Sequence, residues 1–291
     1  MTAKDTFFQK KYTLNIKGDI VDLSIPKVMG ILNVTPDSFY DGGRYNSTDR
    51  LKNRIDQMIN DGADFIDIGA YSSRPGSAEI SETEEWKRIH PVLNILCKDY
   101  SEQVVSIDTF RSEIAKRAIT DFRVSMINDI SAGEMDINMF KVIAGLNVPY
   151  IIMHMSGHPQ NMQENPSYKN VTKEVNSYLA AKVEKLKKIG VNDVIIDPGF
   201  GFGKTLEHNY ELLNNLEAFN FFQLPLLVGL SRKSMIYKLL ENTPDESLTG
   251  TIALNTIALM KGASIIRVHD VKEAKETITL YNKTIQYKNS V

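Results

Sequence analysis

The sequence predicts an α/β protein, a (β/α)8 TIM barrel preceded by a short N-terminal β-hairpin. Three observations carry that prediction. Eight short apolar runs alternate with segments of helical apolar spacing along the 291 residues. The runs are apolar throughout, as parallel strands buried on both faces are. Each run ends in polar residues, and in such a barrel the strand ends face the active site. A doubly wound open sheet is the competing architecture; it usually leaves an early glycine-rich phosphate turn, and none is present.

Residues 1–26 precede the first barrel strand. Here "YTLNIKGDIVDLSIP" alternates on both sides of Gly18-Asp19, which predicts a hairpin closing the barrel floor. The first barrel run, "KVMGILNV", ends at Asn33, and Leu51, Ile55, Met58 and Ile59 follow at helical spacing. "ADFIDIGA" leads into Ser72-Ser73-Arg74, "VVSID" ends in Asp108, and "VSMIND" ends in Asn128 and Asp129. "VPYIIMHM" brings Met153-His154, and Val175, Leu179, Val183 and Leu186 then mark a helix before "DVIID" and Asp197. "PLLVGLS" ends at Ser231-Arg232-Lys233, and "SIIRVHD" carries Arg267 and His269. Asp129 and Asp270 have a plainer reading as caps of the helices that follow them. No linker-like or low-complexity segment interrupts the pattern, so residues 1–291 read as one domain.

Composition narrows the function. The chain is 42% hydrophobic and 24% charged, with a formal net charge of -2. That balance gives no electrostatic reason to expect nucleic acid or an anionic membrane as partner. Any anionic ligand must be met by a few placed cations. The one cysteine, Cys97, excludes an internal disulfide framework, and its helical context predicts burial. No stretch approaches the roughly 18 apolar residues of a membrane span. "MTAKDTFFQKK" lacks the apolar core of a signal peptide, so a cytoplasmic location is the expectation.

The stretch "IDPGFGFGKT" (196–205) ends as a P-loop does, yet Pro198 occupies the place of that motif's first glycine. Proline has no backbone N–H to offer a phosphate. Lys204 likewise stands where a dinucleotide fingerprint needs its third glycine. What remains is a strand end carrying a carboxylate. Asp108, Asn128 and Asp197 together supply acceptors and one amide, suiting a flat heterocycle such as a 2-amino-4-oxo pteridine or guanine. Arg267 and His269, counted as cations with Arg74, suit a phosphate group near the last strands. Asn33 offers a hard oxygen for Mg²⁺, and Lys233 is long enough to reach between the two ends. The loops "NVTPDSFYDGGRY" and "YSSRPGSAE" follow strand ends and are candidates for lids.

These motifs resemble the dihydropteroate synthase family. "MGILNVTPDSFYDGG", "DFIDIGAYSSRPG", "SIDT", "INDIS", "MHMSGHP", "IDPGFGFGK", "GLSRKS" and "RVHDV" run in family order from Val28 to Val271. The resemblance implies that p-aminobenzoate is joined to the methylene carbon of 6-hydroxymethyl-7,8-dihydropterin diphosphate, releasing diphosphate. It implies Asn33 as the ligand of Mg²⁺, and Asp108, Asn128, Asp197 and Lys233 as pterin contacts. Met153 and Phe202 then pack around the ring. Arg267 and His269 anchor the diphosphate, with Ser73 and Arg74 near the same group. Phe39 and Pro75 shape the p-aminobenzoate site, and Ser234 meets that substrate's carboxylate. Asp108, Lys233 and Asp37 are the implied catalytic residues, the two acids offsetting positive charge on the pterin. His154 and His158 are alternative general bases.

The family also commonly forms homodimers through helices opposite the ligand mouth. "LTGTIALNTIALMKGA" is apolar enough to serve, although a buried core helix explains it equally well. The chain departs from the family in reading "YSSRPG" where many members have "ESTRPG", so Ser73 replaces a threonine, which bears on sulfonamide response. "ISAGE" differs modestly from "ISGG". Two other readings stay open from the residues: a methyltetrahydrofolate-dependent corrinoid methyltransferase, and a non-catalytic pterin-binding protein.

Overall fold

Residues 12–34, 44–72 and 79–287 are described by the structure, a computed structural model. Strands β1 (Thr13–Ile16) and β2 (Asp19–Asp22) form the N-terminal antiparallel hairpin, with Ile16 opposite Asp19. Its turn is Lys17-Gly18, one residue earlier than the alternation predicts. Both residues have positive φ, 55° and 95°, as a two-residue turn of the primed type requires. The Asn15 side chain accepts from the Gly18 N–H at 2.9 Å, and Asp19 is drawn into the ladder instead.

The eight apolar runs become eight parallel strands. These are β3 (Lys27–Asn33), β4 (Phe65–Gly69), β5 (Val104–Asp108), β6 (Met126–Asp129), β7 (Tyr150–Met153), β8 (Val194–Asp197), β9 (Leu227–Val228) and β10 (Ile265–Val268). Neighbours in sequence are neighbours in the sheet, and β10 pairs with β3. The seam between β8 and β9 is joined by one parallel bridge, Ile196 to Leu226, and by the Ile196 N–H donating to the Pro225 carbonyl at 3.0 Å. Helices cover the outer face, where Leu51, Ile55, Met58, Val175, Leu179, Val183 and Leu186 are all buried in one cluster with outward strand residues.

Successive strand residues point to opposite faces, so one inward residue fixes the next two. The floor of the barrel is apolar. Met29, Phe65, Met126, Ile151, Ile195, Leu227 and Ile265 pack with Leu14, Ile16 and Leu23, so the hairpin plugs the barrel bottom. Two residues further along the strands the inward positions become polar, with Asp67 paired to Ser106 and Asp108 to Asn128. Apolar packing below thus presents a polar layer above. Cys97 lies on the helix Glu82–Asp99 but is exposed, contrary to expectation. That helix buries Ile89, Val92, Leu93 and Leu96, and Cys97 falls beyond the edge of the stripe they form.

Candidate active site

Asp197 ends β8 with 8% of its surface exposed, and its Oδ1 accepts from the Gly199 N–H at 2.7 Å. The turn that follows needs its glycines. Gly199, Gly201 and Gly203 have φ of 74°, 82° and 58°, a region that L side chains avoid. A Cβ on Gly199 would lie 1.9 Å from the His154 carbonyl oxygen. Lys204 does not point at the mouth. It is buried beneath the turn, where its Nζ donates to the Gly199 carbonyl at 2.8 Å and to the Phe202 carbonyl at 3.0 Å. The residue that spoils the dinucleotide fingerprint therefore pins the turn from inside. Thr205 then caps the helix Leu206–Asn214 by accepting from the His208 N–H.

The same lysine settles His154. Its Nδ1 lies 3.1 Å from Lys204 Nζ, and its ring packs edge-on to Tyr178. Burial, reinforced by the lysine charge, pushes the imidazole down to about 3. Burial also lowers Lys204, to about 7. His154 is a buried partner of the turn, and it is poorly placed to serve as a base. His158 is exposed.

A second network crosses the barrel. Asp67, fully buried in the middle of β4, accepts from Asn128 Nδ2 at 2.9 Å and from Arg267 Nε at 2.7 Å, both on Oδ2. Arg267 Nη2 donates to Asp108 Oδ2 at 2.9 Å. Arg267 is therefore not an uncommitted cation waiting for phosphate: two of its five N–H groups already serve carboxylates. Burial opposes its charge, and Asp67 with Asp108 outweighs that opposition. Burial also raises Asp108, to about 7, with Arg267 opposing the shift and Asp67 adding to it.

Lys233 stands across from this pair. Its Nζ donates to the Phe200 carbonyl and lies 4.7 Å from the centre of the Phe202 ring. Burial lowers it to about 8, against the pull of Asp197. His269 differs from its sequence reading as a cation. Burial, then the charge of Arg267, pushes it down to about 4, so the imidazole is neutral at pH 7. Its Nδ1 is 3.1 Å from Ser231 Oγ, and its carbonyl accepts from Arg54 Nη2 at 2.7 Å.

Asn33 ends β3 and is exposed. A Cβ on Gly69 would sit 3.7 Å from Asn33 Oδ1 and 3.6 Å from Asp108 Oδ2, so both oxygens border this glycine. Met153 and Phe202 share an apolar cluster with Phe110, Ile130, Met155 and Met162. Ser234 opens the short helix Ser234–Tyr237. Asp129 is structural: it accepts from the N–H groups of Ser131 and Gly133 and from the Tyr150 hydroxyl. Asp270 makes no side-chain cap and instead takes a bidentate pair from Arg232. Asp37, Phe39, Ser73, Arg74 and Pro75 lie outside the described residues.

Strand ends alone do not reveal Asp67, Lys204 or Arg54. For Asp67 a signal existed: a lone acid inside "FIDIG", two residues from Phe65 and so on the same face. The assembled mouth interleaves acceptors with cations: Arg267 bonds Asp108 and Asp67, and Lys233 is drawn by Asp197. A flat ring rich in N–H groups fits the acceptors, and an anionic tail fits the cations.

A family model described as pterin binding enzyme matches residues 29–269. The dihydropteroate synthase of Escherichia coli (strain K12) is 44% identical over 276 residues, 94% of this chain and 97% of that protein. Among solved structures, a Yersinia pestis dihydropteroate synthase with a sulfonamide drug matches with a TM-score of 0.88 at 42% identity, covering 94% of this chain and 99% of that one. A Xanthomonas albilineans dihydropteroate synthase with 4-aminobenzoic acid matches at 0.86 and 35% identity, covering 94% and 98%. The chain belongs to the pterin-binding enzymes and, within them, to the dihydropteroate synthase family.

The glycine turn yields a direct test. In Gly199→Ala the new methyl would collide with the His154 carbonyl at 1.9 Å, and φ of 74° disfavours alanine besides. The turn must shift and take Asp197 with it. Calorimetry with 6-hydroxymethylpterin should show affinity lower by about tenfold or more, since ~1.4 kcal/mol of misplacement suffices for that factor. Unchanged affinity would mean that the turn does not set Asp197.

Proposed function

We propose that the protein acts as a dihydropteroate synthase, transferring the dihydropterin methylene group from its diphosphate ester to p-aminobenzoate. One observation carries the reading: Asp197, Asn128 and Asp108 converge from three strand ends, with Lys233 and Arg267 beside them. Asp197 grips the amino and ring N–H edge of the pterin, since a carboxylate accepts two parallel donors. Asn128 and Asp108 meet further ring nitrogens, and Met153 and Phe202 pack against the faces. Lys233 contacts the ring from the opposite side. A corrinoid methyltransferase has no need of a diphosphate pocket, and a non-catalytic binder has no need of an anchor for a leaving group.

The reaction breaks the bond between the methylene carbon and the diphosphate oxygen, whose electron pair leaves with diphosphate. The amine nitrogen of p-aminobenzoate then bonds to that carbon and loses a proton. Because the electron-rich dihydropterin can carry the transient cation, no covalent enzyme nucleophile is required. Asp108 and Asp37 offset that cation. Arg267, with its remaining N–H groups, and neutral His269, as an N–H donor, stabilise charge on the departing oxygens. Ser73 and Arg74 act near the same group. Ser234 meets the carboxylate of p-aminobenzoate, and Phe39 and Pro75 shape its site.

Mg²⁺ is proposed on the chemistry of the donors. Among the described residues no group of three His, Cys, Asp or Glu side chains could cage a metal. A single Asn33 oxygen still fits an ion that keeps several waters and takes substrate phosphate oxygens. Such an ion would neutralise charge on the leaving diphosphate.

A homodimer, a cytoplasmic location and one domain over residues 1–291 complete the reading. Ile257, Met260 and Leu280 are exposed on the neighbouring C-terminal helices and Tyr287 just past the end of the second, which supports a dimer face there. Among the described residues no helix is long and apolar enough to cross a membrane.

The deciding assay is p-aminobenzoate-dependent release of diphosphate from 6-hydroxymethyl-7,8-dihydropterin diphosphate. Release that needs both substrates and Mg²⁺ supports the reading; none with folded protein refutes it. A pH series adds the charge of Asp108. A carboxyl raised to about 7 keeps its proton below that pH, where one oxygen is a donor, and only above it do both oxygens accept with a full charge. Affinity for 6-hydroxymethylpterin should therefore rise as pH passes upward through about 7, then level off. A flat profile from about pH 6 to about pH 8 would remove Asp108 from the ring contacts.

A further inference from the structure

Asp67 lies below the strand ends and reaches the site only through Asn128 and Arg267, the two side chains that bond it. It is 0% exposed, in mid-strand, and surrounded by the barrel interior. Both hydrogen bonds it receives fall on Oδ2, and Oδ1 has no partner among the described residues. As a device for stability this is poor. A buried carboxylate with one unsatisfied oxygen is costly to desolvate, and a buried ion pair seldom outperforms apolar packing. The geometry of its two donors suggests another use.

The first donor is Asn128. A carboxylate can only accept, so the atom that faces Asp67 at 2.9 Å must be the amide nitrogen. That fixes the flip of the side chain, and the amide oxygen is the end turned away from Asp67. The second donor is Arg267 Nε, whose Nη2 is in turn held by Asp108. Anchored at two edges, the guanidinium plane cannot rotate. One buried oxygen thereby orients an amide on β6 and a cation on β10.

We propose that Asp67 is a positioning residue for ring recognition: it locks Asn128 with its oxygen toward the pterin and holds the plane of Arg267 beside it. The inference rests on the pterin reading above. It adds a statement about specificity, because a locked amide oxygen accepts from a ring N–H and rejects a ring that presents a lone pair there. An unlocked amide could flip and accept either ring.

The test is a double-mutant cycle read by calorimetry with 6-hydroxymethylpterin. Asp67→Asn is nearly isosteric but can donate as well as accept, so it releases the lock. It should weaken binding by about tenfold. In an Asn128→Ala background the same substitution should cost less than about threefold, because one of the two side chains it acts through is gone and only the hold on Arg267 remains to be lost. A merely structural role would give equal losses in both backgrounds, and that result overturns the proposal. Wild-type protein that does not bind the pterin at all refutes the underlying reading instead.

Should Asp67→Asn fail to fold, wild-type protein still decides. The Asn128 side-chain amide resonance, identified by its loss in Asn128→Ala, should exchange slowly with solvent before ligand is added. It should stay protected afterwards. Fast exchange in the ligand-free protein would mean that the lock does not exist.

Discussion

The guanidinium of Arg267, held between Asp67 and Asp108, is the interaction on which the rest of the site depends. Three carboxylates, Asp67, Asp108 and Asp197, project into one barrel interior, where charge without a partner is severely disfavoured. Among the described residues Arg267 is the only side chain that bonds two of them. Its fork supplies two donors at a fixed angle, which a lysine cannot do. Because the pair is buried, its value lies less in net stability than in what its loss would leave behind. An unpaired Asp67 would repel Asp108, whose carboxyl already sits near 7.

That arrangement pairs acids with cations at the mouth. Asn128 and Arg267 share one oxygen of Asp67, and Lys233 is drawn by Asp197. The glycine turn after β8 sets Asp197 by a different route. Gly199 and Gly203 let the backbone pass close to the end of β7 and the residues after it, and Lys204 ties the turn's carbonyls inward. A lysine that follows glycines usually suggests a phosphate cradle. Here the lysine is consumed by backbone oxygens, and the acid before the turn, Asp197, is the charged group left at the strand end. His154, drawn into the same knot, is removed from proton chemistry, which suits a reaction driven by departure of the leaving group.

Much of this was legible in the chain. All eight barrel strands follow from the apolar runs, because a parallel strand buried on both faces leaves an uninterrupted signature. The convergence of Asp108, Asn128, Asp197 and Arg267 at one end of the barrel follows from reading the strand ends. What escaped has physical causes. Asp67 lies two residues short of its strand end, so attention to ends passes over it. Lys204 and Arg54 act through partners 50 and 215 residues away, pairings that only the folded barrel creates. The charge of His269 could not be read from its type, since burial beside Arg267 decides it. Cys97 was misplaced by a general tendency of cysteine that its own helix face overrides.

The central claim is that Arg267 organises the acids as well as receiving the anion, and Arg267→Lys separates the two roles. Lysine keeps the charge but cannot bond Asp67 and Asp108 at once. Calorimetry on this variant, with 6-hydroxymethylpterin and with diphosphate in separate titrations, is the direct measurement. The account predicts that both ligands bind more weakly, the phosphate-free pterin included. Loss of diphosphate binding with pterin affinity intact would contradict it, and would return Arg267 to the role of a simple phosphate anchor.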